Sequence, residues 1–555
     1  MNKSLFLLLS LFYTFLHSQN YSGGSGTVND PYLISNLTDL KYLSEHNSQW
    51  SYNFLQTANI DAAITSTWNN GQGFNPIGGT STSFYGTYDG GGYNITGLYI
   101  SRTSNMYVGM FGTVYSSGTL KNINLIGGYF YGDMYIGSLA GETLGIVTNC
   151  TSSATVKAGK YAGGLIGIIK NGITNSSATG NVTSGPGYSA GGLAASASGN
   201  VSNCFATGIV KGSVGVGGLL GASSGNVTNC YATGKVTKHP AGGSTTSGGL
   251  IGYASNLVSG CYATGEVDGD IVGGLIGNTS NNVTKSYAKG NVSAMGTGGT
   301  TYVGGLIGII SHATATAYFS NVSLSFSTGT VTGSYAKGGL IGYCQHLQEI
   351  NVTNCYSRSN VPGGDGGLIG GLGEDGAFIT TSYATGALGA NAGGLIGGGT
   401  NVNFTNAFWD RETTGALVAD ASGFNQTNGG KTTSQMKTQG TFTNWDFANV
   451  WAINPAINDG YPYLKENTEY LSTNELSKND SNITVYPTIV NDLIYISSDV
   501  SIIKYSVFDM QGRLTIQNTP NSKEFSINLS NLQQGTYLLN LIHQKGFESK
   551  KIIKK

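Results

Sequence analysis

The sequence predicts an all-β protein: a parallel β-solenoid (β-helix) of about eleven repeats of 25–34 residues, with end caps, followed by a small antiparallel β-sandwich. Three observations carry this. The pentapeptide GGLIG starts at Gly163, Gly248, Gly273, Gly304, Gly338, Gly366 and Gly393, with GGLLG at Gly217 and GGLAA at Gly191. A second phrase, NCYATGKV from Asn229 and its variants, travels with it at a constant distance. Beyond residue 482 the repeats stop, and segments that alternate apolar and polar residues are separated by turns.

The first element is a leader. MNKSLFLLLSLFYTFLHSQN places Lys3 before an apolar run from Leu5 to Leu16, with the small Ser18 after it. This reads as a secretory signal peptide over residues 1–18. The run is short for a membrane span, and no later segment has 18 uninterrupted apolar residues, so no transmembrane helix is expected.

The repeats occupy residues 106–410. Two degenerate copies, GMFG from Gly109 and GSLAG from Gly137, open them. A phosphate-binding loop would not recur about ten times, and no copy has the Lys-Ser/Thr that such a loop needs. The small residue of the second phrase falls 13 residues after the first glycine in six successive units: Cys150, Ser176, Cys204, Cys230, Cys261 and Ser286. Short strands and glycine corners at this period fit one coil per unit, each adding roughly 4.8 Å. The glycines are expected to supply positive φ at corners and to let neighbouring coils approach closely. The segment between TGxV and the next GG varies; it includes KHPAGGSTTS (238–247) and SAMGTGGTTY (293–302). One unit carries an insertion around 312–320 instead.

Alternation within CYATG sends Cys and Ala one way, Tyr and Thr the other. The Cys position takes only Cys, Ser or Ala407, and the Ala position is nearly always Ala, so both are expected to be buried. The Thr position also takes Lys289 and Arg358, so it is expected to be exposed. Phe205, Tyr231, Tyr262, Tyr287, Tyr356 and Tyr383, continued by Phe408, then form an aromatic stripe along the coils. This stripe is the candidate ligand-binding surface. Stacked rings stabilise a solenoid, whereas exposed rings along a groove bind sugars, and both readings stand at this stage.

These repeats resemble the GLUG motif of secreted and surface bacterial proteins, many of them adhesin-like. The flanks resemble the companions of such arrays. SGTVNDPYLIS (25–35) and FYGTYDGGGYNITGL (84–98) look like an N-terminal cap with first coils over 19–105. FWDRETTG (408–415) and WAINPAINDGYPYL (451–464) look like a C-terminal cap over 411–465. Caps shield the open sheet edges of a solenoid.

A polar linker spans 466–482, and the sandwich spans 483–555. Tyr486-Pro487, DMQGR (509–513), Gly535-Thr536-Tyr537 and the basic end 550–555 resemble the type A C-terminal sorting domain of the type IX secretion system. The family's opening Tyr-Pro-Asn-Pro is Tyr-Pro-Thr-Ile here. The resemblance implies the type IX machinery as a partner through 483–555. It also implies secretion, or display on the outer surface of a Gram-negative, Bacteroidetes-type cell.

Composition narrows the chemistry. Net charge is −1 and charged residues are 10%, so no basic field invites nucleic acid. Six cysteines are an even number in an exported chain, yet Ser replaces Cys freely along the ladder, which favours buried thiols over disulfides. No Cys-x-x-Cys, His-Glu-x-x-His or clustered His suggests a metal, and no cofactor motif is present. Acids are scattered, and Glu266-Val-Asp268-Gly-Asp270 reads as a solvated turn rather than a Ca²⁺ loop. No catalytic residues are assigned. The expected function is adhesion to glycan, matrix or cells. The rivals are a polysaccharide lyase or glycosidase, whose carboxylates would converge in one groove, and an inert spacer.

Overall fold

The computed structural model describes residues 21–294, 301–311, 320–345, 349–373, 376–423, 429–466, 483–509, 514–543 and 546–555. The leader, most of the 312–320 insertion, the linker from 467, and DMQGR beyond Asp509 lie outside the described residues, as do His312, His346, Glu374 and Asp375. The chain divides into two compact units, Met1–Leu464 and Lys465–Lys555.

The first unit is a solenoid with four strand faces. One coil runs through Ile276–Thr279, Val283–Thr284, Tyr287–Ala288 and Val292–Ala294, then returns through Tyr302–Gly304. Each strand pairs in parallel with its counterpart one coil away: Val258 with Val283, Tyr262 with Tyr287, Gly273 with Gly304, Ile276 with Ile307. The faces grow into sheets of 14, 14, 16 and 10 strands. In an early coil the third face is one strand, Tyr129–Ile136; in later coils it splits into two short strands, and the variable segment leaves between them.

The interior is built from ladders of like residues. Leu165, Leu193, Leu219, Leu250, Leu275, Leu306, Leu340, Leu368 and Leu395, the leucines of the GG-Leu phrases, are fully buried. Each contributes roughly 1.5–3 kcal/mol by leaving water. The Cys and Ala positions are buried, as alternation predicts, and Thr179, Thr207, Thr233 and Thr264 are exposed.

The glycines depart from one expectation. No GGLIG glycine has a positive φ. The left-handed position in each coil is the residue just before the Cys/Ser site: Asn149, Asn175, Asn203, Asn229, Gly260, Lys285, Leu324, Asn354, Thr381 and Asn406. Asn tolerates this conformation because its short polar side chain bonds locally. The glycines serve close approach alone. A Cβ on Gly273 would lie 1.9 Å from the Ile276 carbonyl oxygen, and one on Gly274 would lie 2.1 Å from that of Gly305.

At the N-terminal end, Asn36 caps the helix Leu37–Glu45 by accepting from the Asp39 amide, and Leu40 and Leu43 join the core. At the other end the Ala position becomes Trp409, in register with Ala384 and buried against Gly394. The indole plugs the core, and its Nε1 donates to the Ala416 carbonyl at 3.0 Å.

The second unit joins seven strands around Leu493–Asp509, a 17-residue strand. Its pairings with Ile483–Tyr486, Leu514–Asn518, Ser522–Asn528 and Gly535–His543 are antiparallel. Ile489–Val490 alone pairs in parallel, with Gly546–Lys554. Ile494, Ile502, Val507, Leu539, Leu541 and Ile552 form its core.

Candidate binding surface

The aromatic stripe is a continuous stack. Phe205 and Tyr231 have ring centroids 4.8 Å apart and planes 2° apart; Tyr231 and Tyr262 repeat this at 4.8 Å and 1°, Tyr262 and Tyr287 at 5.0 Å and 3°. The spacing is the strand spacing, so in-register pairing imposes it. The stack continues through Phe326, Tyr356 and Tyr383. Phe326 escaped the sequence reading because its phrase is SFSTGTV; aligning on the following TG and Val would have found it.

Two consequences follow for ligand binding. Stacked rings spend their faces on each other, which leaves edges and hydroxyls for an outside partner. The C-terminal segment also folds back over the stripe. Met436, Phe442, Trp445, Trp451, Tyr461 and Leu464 share one buried cluster with Tyr287, Phe326, Tyr356, Tyr383 and Phe408. The segment expected to close the end of the solenoid therefore also covers its flank. Thr385, at an exposed register position in earlier coils, is buried here. Of the candidate residues, Phe205, Tyr231 and Tyr262 stay half-buried at the surface, whereas Tyr287, Tyr356 and Tyr383 are buried.

Polar contacts hold the cover. Tyr383 donates its hydroxyl to the Pro462 carbonyl at 2.6 Å. Arg358 binds Asn458 at 2.9 Å and pairs with Asp459. That guanidinium holds the Asp459 carboxyl below its ordinary range. Tyr461 donates to the buried Asp410 at 2.7 Å, and burial, with that hydrogen bond, pushes its hydroxyl up to about 12.

The variable loops are tied by charge. Lys238 Nζ meets Asp270 at 2.7 Å, Lys235 meets Glu266 at 2.8 Å, and Asp268 accepts from the Lys238 amide at 2.7 Å. Asp268 and Asp270 thus anchor the 238–247 loop of the preceding coil, and Glu266 ties the residue three positions before it. Among the described residues, no group of three or more His, Cys, Asp or Glu is placed to hold a metal ion.

All six cysteines stand as free thiols in the structure. Their ladder has a further use: the Cys204 amide points to Cys230 Sγ at 3.4 Å, Cys230 to Cys261 Sγ at 3.4 Å, and Cys261 to Ser286 Oγ at 3.1 Å. Burial pushes the Cys150 and Cys355 thiols up to about 12.

Two surface clefts lie elsewhere on the solenoid. One of about 400 Å³ is lined by Pro76, Gly78, Thr80, Asn105 and Tyr107 among others, with no carboxylate. The second, about 340 Å³, includes Tyr335, Tyr343 and a single carboxylate, Asp365. Glu142 lines neither, though its charge reaches Tyr107 of the first; burial raises its carboxyl against the pull of Lys170.

Family comparison agrees with the two architectures. Residues 132–157 and 212–237 match the GLUG motif, and residues 484–555 match the secretion system C-terminal sorting domain. The β-solenoid thus carries GLUG-motif matches, and the C-terminal unit matches the sorting tail of a secretion system. Such a tail directs export to the cell surface or the medium. Among curated proteins, Halomucin of Haloquadratum walsbyi is 35% identical over 167 residues, 29% of this chain and 2% of that protein. A "Putative Gly-rich membrane protein" of Evansella cellulosilytica is 32% identical over 139 residues, 24% of this chain and 15% of that protein. The chain thus spans only a small part of either relative. A solved structure described as a "putative immunoglobulin A1 protease" from Bacteroides ovatus aligns over 80% of this chain and 95% of its own. Its TM-score is 0.23 at 15% identity, too low to carry fold or activity across. No helix among the described residues is long and apolar enough to cross a membrane.

Proposed function

We propose that the GLUG-repeat protein is a non-catalytic adhesin of a Bacteroidetes-type cell, contacting glycans, matrix or neighbouring cells through its solenoid. In this reading the leader 1–18 is removed and the domain 483–555 engages the type IX machinery. Residues 19–465 are the working part, with the caps at 19–105 and 411–465 around the repeats of 106–410.

The observation that carries the reading is the way variation is placed. A rigid, repeated coil presents segments of changing length from one face, between the two halves of the split strand. A scaffold with variable loops suits recognition. The half-buried Phe205, Tyr231 and Tyr262 add edges and hydroxyls on a neighbouring strand face; Tyr287, Tyr356 and Tyr383 contribute rigidity instead. Neither of these two clefts offers the pair of carboxylates on which glycoside hydrolysis depends.

The test is direct. The mature chain is applied to a glycan array, to immobilised matrix proteins and to whole cells. Saturable binding to at least one class is expected. Failure on all three would leave the inert spacer as the better description.

A further inference from the structure

The 340 Å³ cleft has the construction of a sugar site. Along the fourth face, the buried Ile309, the half-buried Tyr343 and Gly371 stand in register. The Ile369–Ile396 bridge carries the same register on to Gly398. Tyr343 is therefore the last large side chain on this line, and two glycines follow. Tyr343 leans one way on Tyr302, with centroids 4.7 Å apart and planes 19° apart. On the other side it overhangs Gly371, where a Cβ would come within 3.2 Å of the ring. The ring is a wall and the glycine backbone a floor. Tyr335, 53% exposed, stands at the rim.

Polar groups of both signs converge at the same place. Asp365 Oδ2 accepts from the Lys337 amide at 2.9 Å, and its side chain remains 41% exposed. Lys337 is nearly buried; its Nζ donates to the Tyr335 carbonyl at 3.2 Å and lies 4.0 Å from Asp365 Oδ2. Asp365 reaches this position because Gly397 lacks a Cβ, which would fall 2.3 Å from the Asp365 Cβ. An apolar wall, an acceptor and a donor in one cleft match the two sides of a pyranose ring, with its C–H face and its hydroxyl rim. The cleft volume lies at the small end of the range of about 300–1,000 Å³ typical of ligand sites. The cation is already paired with a carboxylate, so the site does not favour an anionic sugar.

We infer that the Tyr343–Asp365 cleft is a saccharide subsite that takes a neutral hexopyranose unit of a surface polysaccharide. The inference rests on the glycan-contact reading above and gives it a location. Tyr343 stacks on the sugar face, Asp365 accepts from its hydroxyls, Lys337 donates, and the glycine floor admits the ring close to the backbone.

The test uses the full mature chain and an array of neutral and acidic oligosaccharides, with free glucose, galactose and mannose as competitors. Gly398→Leu is the sharpest variant. A Cβ there meets no protein atom within 4 Å, so the leucine starts into open space and occupies the cleft without a backbone clash. Tyr343→Ala and Asp365→Asn remove the wall and the acceptor. The expected result is binding to neutral oligosaccharides by the parent, weakened about tenfold or more by Gly398→Leu and by Tyr343→Ala, with unchanged melting of Gly398→Leu. Parent binding that survives Gly398→Leu and Tyr343→Ala overturns the subsite and leaves the adhesin reading standing. Binding only to acidic glycans, or only to matrix protein or cells, also overturns the subsite alone. No binding to anything overturns both.

Discussion

The Cβ of Ala288 lies 2.8 Å from the point a Cβ on Gly274 would occupy. The same pairing joins Gly249 to Ala263 and Gly218 to Ala232. The two recurring phrases, GGLIG and CYATG, are therefore two sides of one contact across the solenoid interior. Gly274→Ala is expected to cost about 3 kcal/mol through overpacking, with the added methyl also driven toward the Gly305 carbonyl. Gly243→Ala, in the variable loop with nothing within 4 Å, is the neutral control. Thermal unfolding of both variants compares them; equal melting temperatures would refute the contact.

Asn229 tests the corner. Its φ of 53° is shared by the matching residue of most coils. Asn229→Gly is expected to leave stability within about 0.5 kcal/mol, as the natural Gly260 suggests, while Asn229→Val loses about 1–2 kcal/mol. Chemical denaturation resolves the difference. Tolerance of valine would mean that the coil relaxes out of the left-handed conformation.

The cysteine ladder makes a prediction that smallness alone does not. Cys230 Sγ faces the buried amide of Cys204 at 3.4 Å. Cys230→Ser keeps an acceptor and is expected to be nearly neutral. Cys230→Ala leaves that N–H unmatched and costs about 1–3 kcal/mol. If alanine and serine unfold alike, the ladder is a packing feature only.

Acid should loosen the cover over the stripe. Arg358 depresses the Asp459 carboxyl below its ordinary 3.8, so the pair's contribution is complete above that value and is lost as pH falls through the depressed one. Fluorescence of Trp445 and Trp451 followed from about pH 6 to about pH 2 should change earlier for the parent than the solenoid melts, and Asp459→Asn should flatten that early phase. Coincident acid profiles for the two proteins would rule the pair out as the sensor. Asp459 is largely exposed, so the effect shrinks at high salt.

The repeat itself was readable because a solenoid writes its coil into the chain. One period of sequence is one turn of structure, and register places Tyr231 over Tyr262 without any distant information. The Cys and Ala positions could be called buried for the same reason. The glycine corner could not, since a tight approach and a left-handed turn both demand glycine, and only backbone angles separate them. Phe326 was missed because an insertion broke the spacing that made its neighbours visible.

By itself the sequence determined the coil, its inward ladders and the sorting tail, all of which rest on local periodicity or contiguous motifs. The tertiary structure decided which aromatics remain accessible. Tyr383 and Pro462 are 79 residues apart and Arg358 and Asn458 are 100 apart, so the cover that buries the late stripe depends on contacts with no period. The Tyr343 cleft is of the same kind. It exists because an aromatic in one coil meets glycines in the next two, and that gap becomes a surface only when the coils are stacked.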